Sequence, residues 1–193
     1  MRGVSLPERI KLAMDEIAGM LKEQGAKISH ERLDNAIQLL IASRSVFVTG
    51  AGGSGLISRF LAMRLTHLGF SAGIVGEQTA RPFTRKYVLI AISHTGETVS
   101  TISFAQQAKQ LGGRIIAITS SVNSSLARLA DSVIELAAGD DEYPNLADLG
   151  KRFSSGMLFE VNALAFIVAL TVELLTRTGQ KARELEKRHA TLE

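Results

Sequence analysis

Apolar residues fall at Ile10, Met14, Ile17, Ala18 and Leu21, a helical spacing that begins after Pro7 and that Gly25 is expected to stop. A second amphipathic helix is signalled by Ser29 as N-cap, Glu31 in the first turn, and Leu33, Ile37, Leu40 and Ile41 along one face. The pattern then changes. Residues 45–49 (SVFVT) are short and β-branched and run straight into Gly50, Gly52, Gly53 and Gly55, as a buried strand does before a tight turn. Helical spacing returns over residues 56–68. Short apolar runs at 72–75, 87–92, 115–119 and 133–136 then alternate with helical stretches at 98–111 and 124–130. Near-continuous Val/Ile strands alternating with helices predict a three-layer α/β fold, a parallel sheet with helices on both faces.

The connection after the fifth strand, residues 137–155, carries Gly139, Asp140, Asp141, Pro144 and Gly150 and has the length of a functional loop. Residues 157–175 follow as the most apolar helix of the chain. Glu160 and Glu173 leave 12 uncharged residues between them, 161 to 172, against the roughly 20 that a membrane span needs. A buried helix or a subunit interface is therefore expected, and no membrane partner. The tail, residues 179–193, is short and charged, and the chain contains no internal repeat.

Composition narrows the function classes. The 193 residues carry 22 Lys+Arg and 19 Asp+Glu, a net charge of +3 with no basic run, so no nucleic-acid partner is expected. With 46% hydrophobic residues the chain can bury one substantial core. A single domain is expected, with residues 1–43 as N-terminal helices, 44–136 as the sheet core, and 137–193 as a loop and C-terminal helices. Cysteine is absent, which removes disulfides, thiol nucleophiles and Cys-ligated metals and fits a reducing compartment. Residues 1–16 lack the apolar stretch of a signal peptide, so the expected location is the cytoplasm.

Two strand-to-helix turns could carry chemistry, residues 49–55 (TGAGGSG) after the first strand and residues 93–98 (SHTGET) after the third. Both fall at the carboxyl edge of a parallel sheet, where ligands bind beside the reversal of strand order. Glycines let the backbone approach a ligand, and the helix starts near Ser54 and Thr98 favour an anion. The first turn alone reads equally as a tight connection. In the second, Ser93, Thr95 and Thr98 place three hydroxyls around one helix start where capping needs one, which points to a phosphate. A dinucleotide fits less well. Gly50-x-Gly52-x-x-Gly55 looks like the expected fingerprint, but the acidic ribose contact about 20 residues on is missing, Glu77 being the sole candidate, and no Walker lysine follows.

These residues resemble the sugar isomerase (SIS) domain family of phosphosugar isomerases and phosphosugar-binding regulators. The carrying motif is S-x-[ST]-G-E-T, matched by Ser93, Thr95, Gly96, Glu97 and Thr98. Further blocks are similar to the 6-phospho-3-hexuloisomerase branch: AMRLTHLGF (62–70), VGE (75–77), LIAIS (89–93), LFE (158–160) and KRHATLE (187–193). The resemblance implies a doubly wound, flavodoxin-like sheet of five parallel strands, no metal or other cofactor, and interconversion of 3-hexulose 6-phosphate with fructose 6-phosphate. It implies a homotetramer with sites at subunit boundaries. It assigns phosphate binding to Ser93, Thr95 and Thr98, sugar contacts to Gly52 and Ser54, and the catalytic base to Glu160. His189, donated by a neighbouring subunit, would move protons at the sugar oxygens. The chain departs from the pattern at Gly53, where relatives carry Arg or Lys, and at residues 153–156 (FSSG), where relatives of this branch have a Pro-Leu-Gly-like stretch.

Moving a carbonyl along a sugar requires taking a proton from carbon, for which a desolvated carboxylate is a suitable base. Glu160 shares a helical face with Leu164, Ile167 and Val168 and is expected to point inward, as a base or as a buried carboxylate satisfied by a cap or an arginine. Glu97, expected in a first helical turn, reads as structural. His30 and His67 read as surface or packed residues, and His94 as a backbone donor in the phosphate loop. Asn123, Ser124 and Ser125 read as a turn and cap or as a wall of the sugar site, with Ser124 favoured as the cap. Two other functions stay open: an aldose–ketose isomerase on another phosphosugar, and a non-catalytic phosphosugar-binding regulator.

Overall fold

The computed structural model describes residues 5–137 and 155–191. Two helices lead the chain, α1 (Leu6–Lys27) and α2 (His30–Ala42). The alternating core follows as β1 (Ser45–Thr49), α3 (Gly53–His67), β2 (Ala72–Ile74), β3 (Tyr87–Ile92), α4 (Val99–Gln110), β4 (Arg114–Thr119), α5 (Ser125–Leu129) and β5 (Ser132–Glu135). The long helix α6 (Ser155–Thr178) and the short α7 (Ala182–Glu186) close it. Helix α1 runs through Gly25 to Lys27, because a glycine one turn from the end only weakens a helix. The expected loop at 137–155 lies almost wholly outside the described residues, so Gly139, Asp140, Asp141, Pro144 and Gly150 receive no structural account.

The strands pair in the order β2-β1-β3-β4-β5, all parallel, which is the doubly wound flavodoxin-like arrangement. Every residue of β1 is buried, and β3 and β4 are buried at all but their first residue, which is why they read as continuous apolar runs. Side chains alternate between the faces. Val46, Val48, Ile90, Ile92, Ile116 and Ile118 pack against α2, α3 and α6, while Phe47, Leu89, Ala91, Ile115 and Ala117 pack against α4 and α5.

By length and composition α6 could cross a membrane, yet half of its most apolar window is buried within the fold. Its own Phe159, Ala163 and Ile167 are fully buried on the face turned to the sheet, and Arg177 ties its end to Asp34 of α2 at 2.8 Å. Chain order reverses between β1 and β3: the connection from β1 runs outward to β2, and the one from β3 runs the other way to β4. The turns that leave β1 and β3 therefore lie side by side at the carboxyl edge, on strands about 5 Å apart.

Candidate active site

The turn leaving β1 is shaped by its glycines. Gly52 is the N-cap of α3 with φ +55°, a left-handed conformation that disfavours a side chain. A Cβ on Gly50 would lie 2.5 Å from the Ser54 carbonyl oxygen, so the strand can fold tightly onto the helix only without one. Ser54 is buried in the first turn of α3. No side chain caps the first N–H groups of this helix.

The turn leaving β3 is held by hydroxyls. Ser93, buried, accepts from the Gly96 N–H at 3.1 Å, and its Oγ lies 3.0 Å from the Thr98 Oγ1. Thr95 accepts from the Glu97 N–H at 3.2 Å and is otherwise exposed. Thr98 is the N-cap of α4, yet its hydroxyl makes no cap bond and faces Ser93 instead. Ser29 and Ser124, by contrast, accept helix N–H groups at the starts of α2 and α5. Both helices that begin at this crevice thus keep their first N–H groups without a side-chain cap, an arrangement that suits an anion.

The wall opposite is α6. His94 of the turn leaving β3 packs its ring against Phe159, with centroids 5.3 Å apart, which sets the start of α6 over the crevice. The next residue, Glu160, is half-buried and brings its carboxylate against the Cα of Gly53. The expectation that Glu160 points fully inward is corrected in part. Leu164 and Val168, assigned to the same face, are exposed at 40% and 49%, whereas Ile167 is fully buried. Glu160 therefore sits where the buried and open faces of α6 meet, and reaches the crevice from there.

Other readings are settled by contacts. Glu77 is paired with Arg59 at 2.7 Å. Ser124 is the cap of α5, and it also packs against Gly96, at φ +68°, fixing the loop from behind. Glu97 precedes α4 instead of lying in its first turn. Its carboxylate accepts from the Ser125 N–H at 2.7 Å, which holds its pKa below the usual carboxylate value, with the Ser125 hydroxyl adding to the effect. His30 is exposed and His67 buried, as expected.

Three contacts that support the loop escaped sequence reasoning. The His94 carbonyl accepts from the Thr119 and Ser120 hydroxyls at 3.0 and 2.9 Å and from the Ser120 N–H at 2.9 Å. It is this carbonyl that anchors the loop, where the sequence pointed to the His94 N–H. The partners lie 25 and 26 residues apart, and only the pairing of β3 with β4 brings them together.

His189 is not brought to this crevice within one chain. Its ring stacks on His67 at the far end of α3, with centroids 4.1 Å apart, and Arg188 locks the tail there by donating to the His67 carbonyl at 3.0 Å. The fifteen residues of α3 separate that end from Gly53 by about 20 Å. Among the described residues no cluster of three His, Asp or Glu side chains could hold a metal ion.

Residues 39–165 match the model of the SIS domain. The chain belongs to the SIS domain family. Among SIS relatives, the 3-hexulose-6-phosphate isomerase of Bacillus subtilis is 35% identical over 92% of this chain and 96% of its own length. That of Mycobacterium gastri is 33% identical over 99% of this chain and 93% of its own. A crystal structure of a Methanococcus jannaschii protein, described as inferring a molecular function of 3-hexulose-6-phosphate isomerase, superposes with a TM-score of 0.78 at 32% identity, covering 96% of this chain and 99% of that one.

Proposed function

We propose that this SIS protein is a sugar-phosphate isomerase that interconverts 3-hexulose 6-phosphate and fructose 6-phosphate through a 2,3-enediol. The observation that carries the reading is the meeting of Glu160 with two helix starts lacking side-chain caps at one crevice, one of them ringed by Ser93, Thr95 and Thr98. Relatives that match nearly the whole chain and bear that activity supply the substrate class.

In this mechanism the phosphate sits on the loop after β3, receiving N–H groups from the start of α4 and hydroxyls from Ser93, Thr95 and Thr98. The sugar then lies across the turn after β1, against Gly52 and Ser54. Glu160 takes the proton from C3 of fructose 6-phosphate, the electron pair forms the 2,3 double bond, and the C2 oxygen gains a proton. Return of a proton to C2 and loss of one from the C3 hydroxyl complete the shift. His189 serves the oxygens of a neighbouring subunit's substrate, since about 20 Å of helix separate it from its own crevice. Self-association as a homotetramer, a single SIS domain over residues 1–193 and a cytoplasmic location belong to the same proposal.

The phosphate requirement tests the binding half. Fructose 6-phosphate should raise the thermal midpoint and free fructose should not, because only a ligand of the native state shifts it. Ser93→Ala should raise KM about tenfold or more, the scale of one lost hydrogen bond to a charged group. Equal shifts with the unphosphorylated sugar would contradict the assignment.

A further inference from the structure

We infer that Gln24 and Asn162 are positioning residues for the base, an inference that rests on the reading of Glu160 as that base. A chain of buried amide hydrogen bonds runs from α1 through the end of β5 to α6 and sets where α6 carries the Glu160 carboxylate. The Gln24 Oε1 accepts from the Ala137 N–H at 2.6 Å, and its Nε2 donates to the Glu135 carbonyl at 3.1 Å. The Asn162 Nδ2 donates to the Ala137 carbonyl at 2.8 Å. Gln24 is 5% and Asn162 1% exposed, so the chain lies away from solvent, where such bonds are strongest.

Among the described residues no hydrogen bond or ion pair holds the Glu160 carboxylate itself, which rests against Gly53, so its place follows that of the helix. The start of α6 is held at Ala137 twice: Leu158 packs with it and with Met20 of α1, and Asn162 bonds its carbonyl. Ala137 is in turn fixed by Gln24. A helix rises 1.5 Å per residue, so Asn162 lies about 3 Å along the axis from Glu160 and the two move as one rigid segment. Asn162 carries a cost for this bond, because its Oδ1 is buried and accepts nothing among the described residues, where an apolar side chain would leave no such orphan. Gln24 precedes residues 39–165, the part that matches the SIS domain, so the clamp brings α1 into the site from outside that match.

The closing experiment measures kcat and KM on fructose 6-phosphate well below the thermal midpoint, and the midpoint with and without that ligand. It compares the native chain, Asn162→Leu, Gln24→Met, Glu160→Gln and the Asn162→Leu/Glu160→Gln pair. The first two variants replace an amide by an apolar side chain of similar length. A displacement of about 1 Å at a reacting group can cost two orders of magnitude, so each should lower kcat at least about tenfold. KM should stay within about threefold and the midpoint rise with ligand should persist, since the loop after β3 is untouched. With the carboxylate already gone, Asn162→Leu should cost the residual turnover less than about twofold, a non-additivity that a residue merely supporting the fold would not show. Where Glu160→Gln leaves no residual turnover to compare, a crystal structure of Asn162→Leu decides: the carboxylate should leave its place on Gly53, and one still there overturns the inference. Should one of the two amide variants fail to fold, the other carries the same comparisons. Full turnover by either folded variant with an inactive Glu160→Gln overturns the inference alone, as does an equal loss in the two backgrounds or the failure of both to fold, which would make the chain a support of the fold and not of the base. Full turnover by Glu160→Gln overturns the base assignment and the inference with it.

Discussion

Glu97 sits inside the S-x-[ST]-G-E-T motif, yet its carboxylate is turned to Ser125 at the start of α5. It braces the loop from outside and leaves the crevice to Ser93, Thr95 and Thr98. The lowered pKa gives this brace a pH signature. A carboxyl group whose folded value lies below its ordinary 4.5 adds stability above that pH and loses it as the pH falls through the lower folded value. Glu97→Gln should therefore show a small deficit in thermal midpoint that is constant at neutral pH and closes as the pH drops below about 4.5. A gap unchanged down to pH 3 would contradict the brace, measured by melting the two proteins across that range. At this scale the sequence was legible wherever chemistry is local. Hydroxyl count and spacing point to Ser93, Thr95 and Thr98, and Ser124 reads as a cap. The seating of Glu160 on Gly53 and the anchoring of the His94 carbonyl by Thr119 were not legible, since each joins residues distant along the chain.

The strands were read almost to the residue because β1, β3 and β4 are buried on both faces and leave no polar interruption. Helix α3 begins at Gly53, three residues before its apolar spacing, because a glycine-rich first turn looks like loop in any composition-based reading. Helix α6, expected as a buried helix or a subunit interface, has one buried face and one open one: Met157, Leu164, Val168 and Val172 form an exposed apolar stripe, and Leu56 and Met63 of the adjoining α3 are exposed as well. An apolar surface of this kind suits a second copy of the chain. Light scattering should thus find the native protein well above the 20.8 kDa of one chain. Val168→Glu, which places a charge on the stripe without touching the crevice, should shift it toward one chain, keep the midpoint rise with fructose 6-phosphate, and lose most turnover if His189 acts, as proposed, at a neighbour's site. A native protein that turns over fully as a 20.8 kDa species would reject both the interface and the role of His189.

Across the whole molecule, strand order makes the site. The path from β1 to β2 and the path from β3 to β4 diverge, which opens a crevice between two helix starts, and α6 returns over it to deliver Glu160. The alternation of strands and helices announced a parallel sheet, but not which turns would become neighbours; the SIS resemblance filled that gap and the sheet order agrees with it. The tail runs the opposite way, pinned by Arg188 and the His67–His189 stack at the far end of α3. The central claim is that Glu160 moves a proton at C3 of a six-carbon ketose phosphate. Incubation of fructose 6-phosphate with the enzyme in heavy water, with product formed in the same sample, tests it most directly. Deuterium should enter at C3, and Glu160→Gln should slow both exchange and turnover at least about a hundredfold, the low end for losing a general base. Deuterium at C1 instead, or undiminished exchange and turnover in the Gln variant, would contradict it.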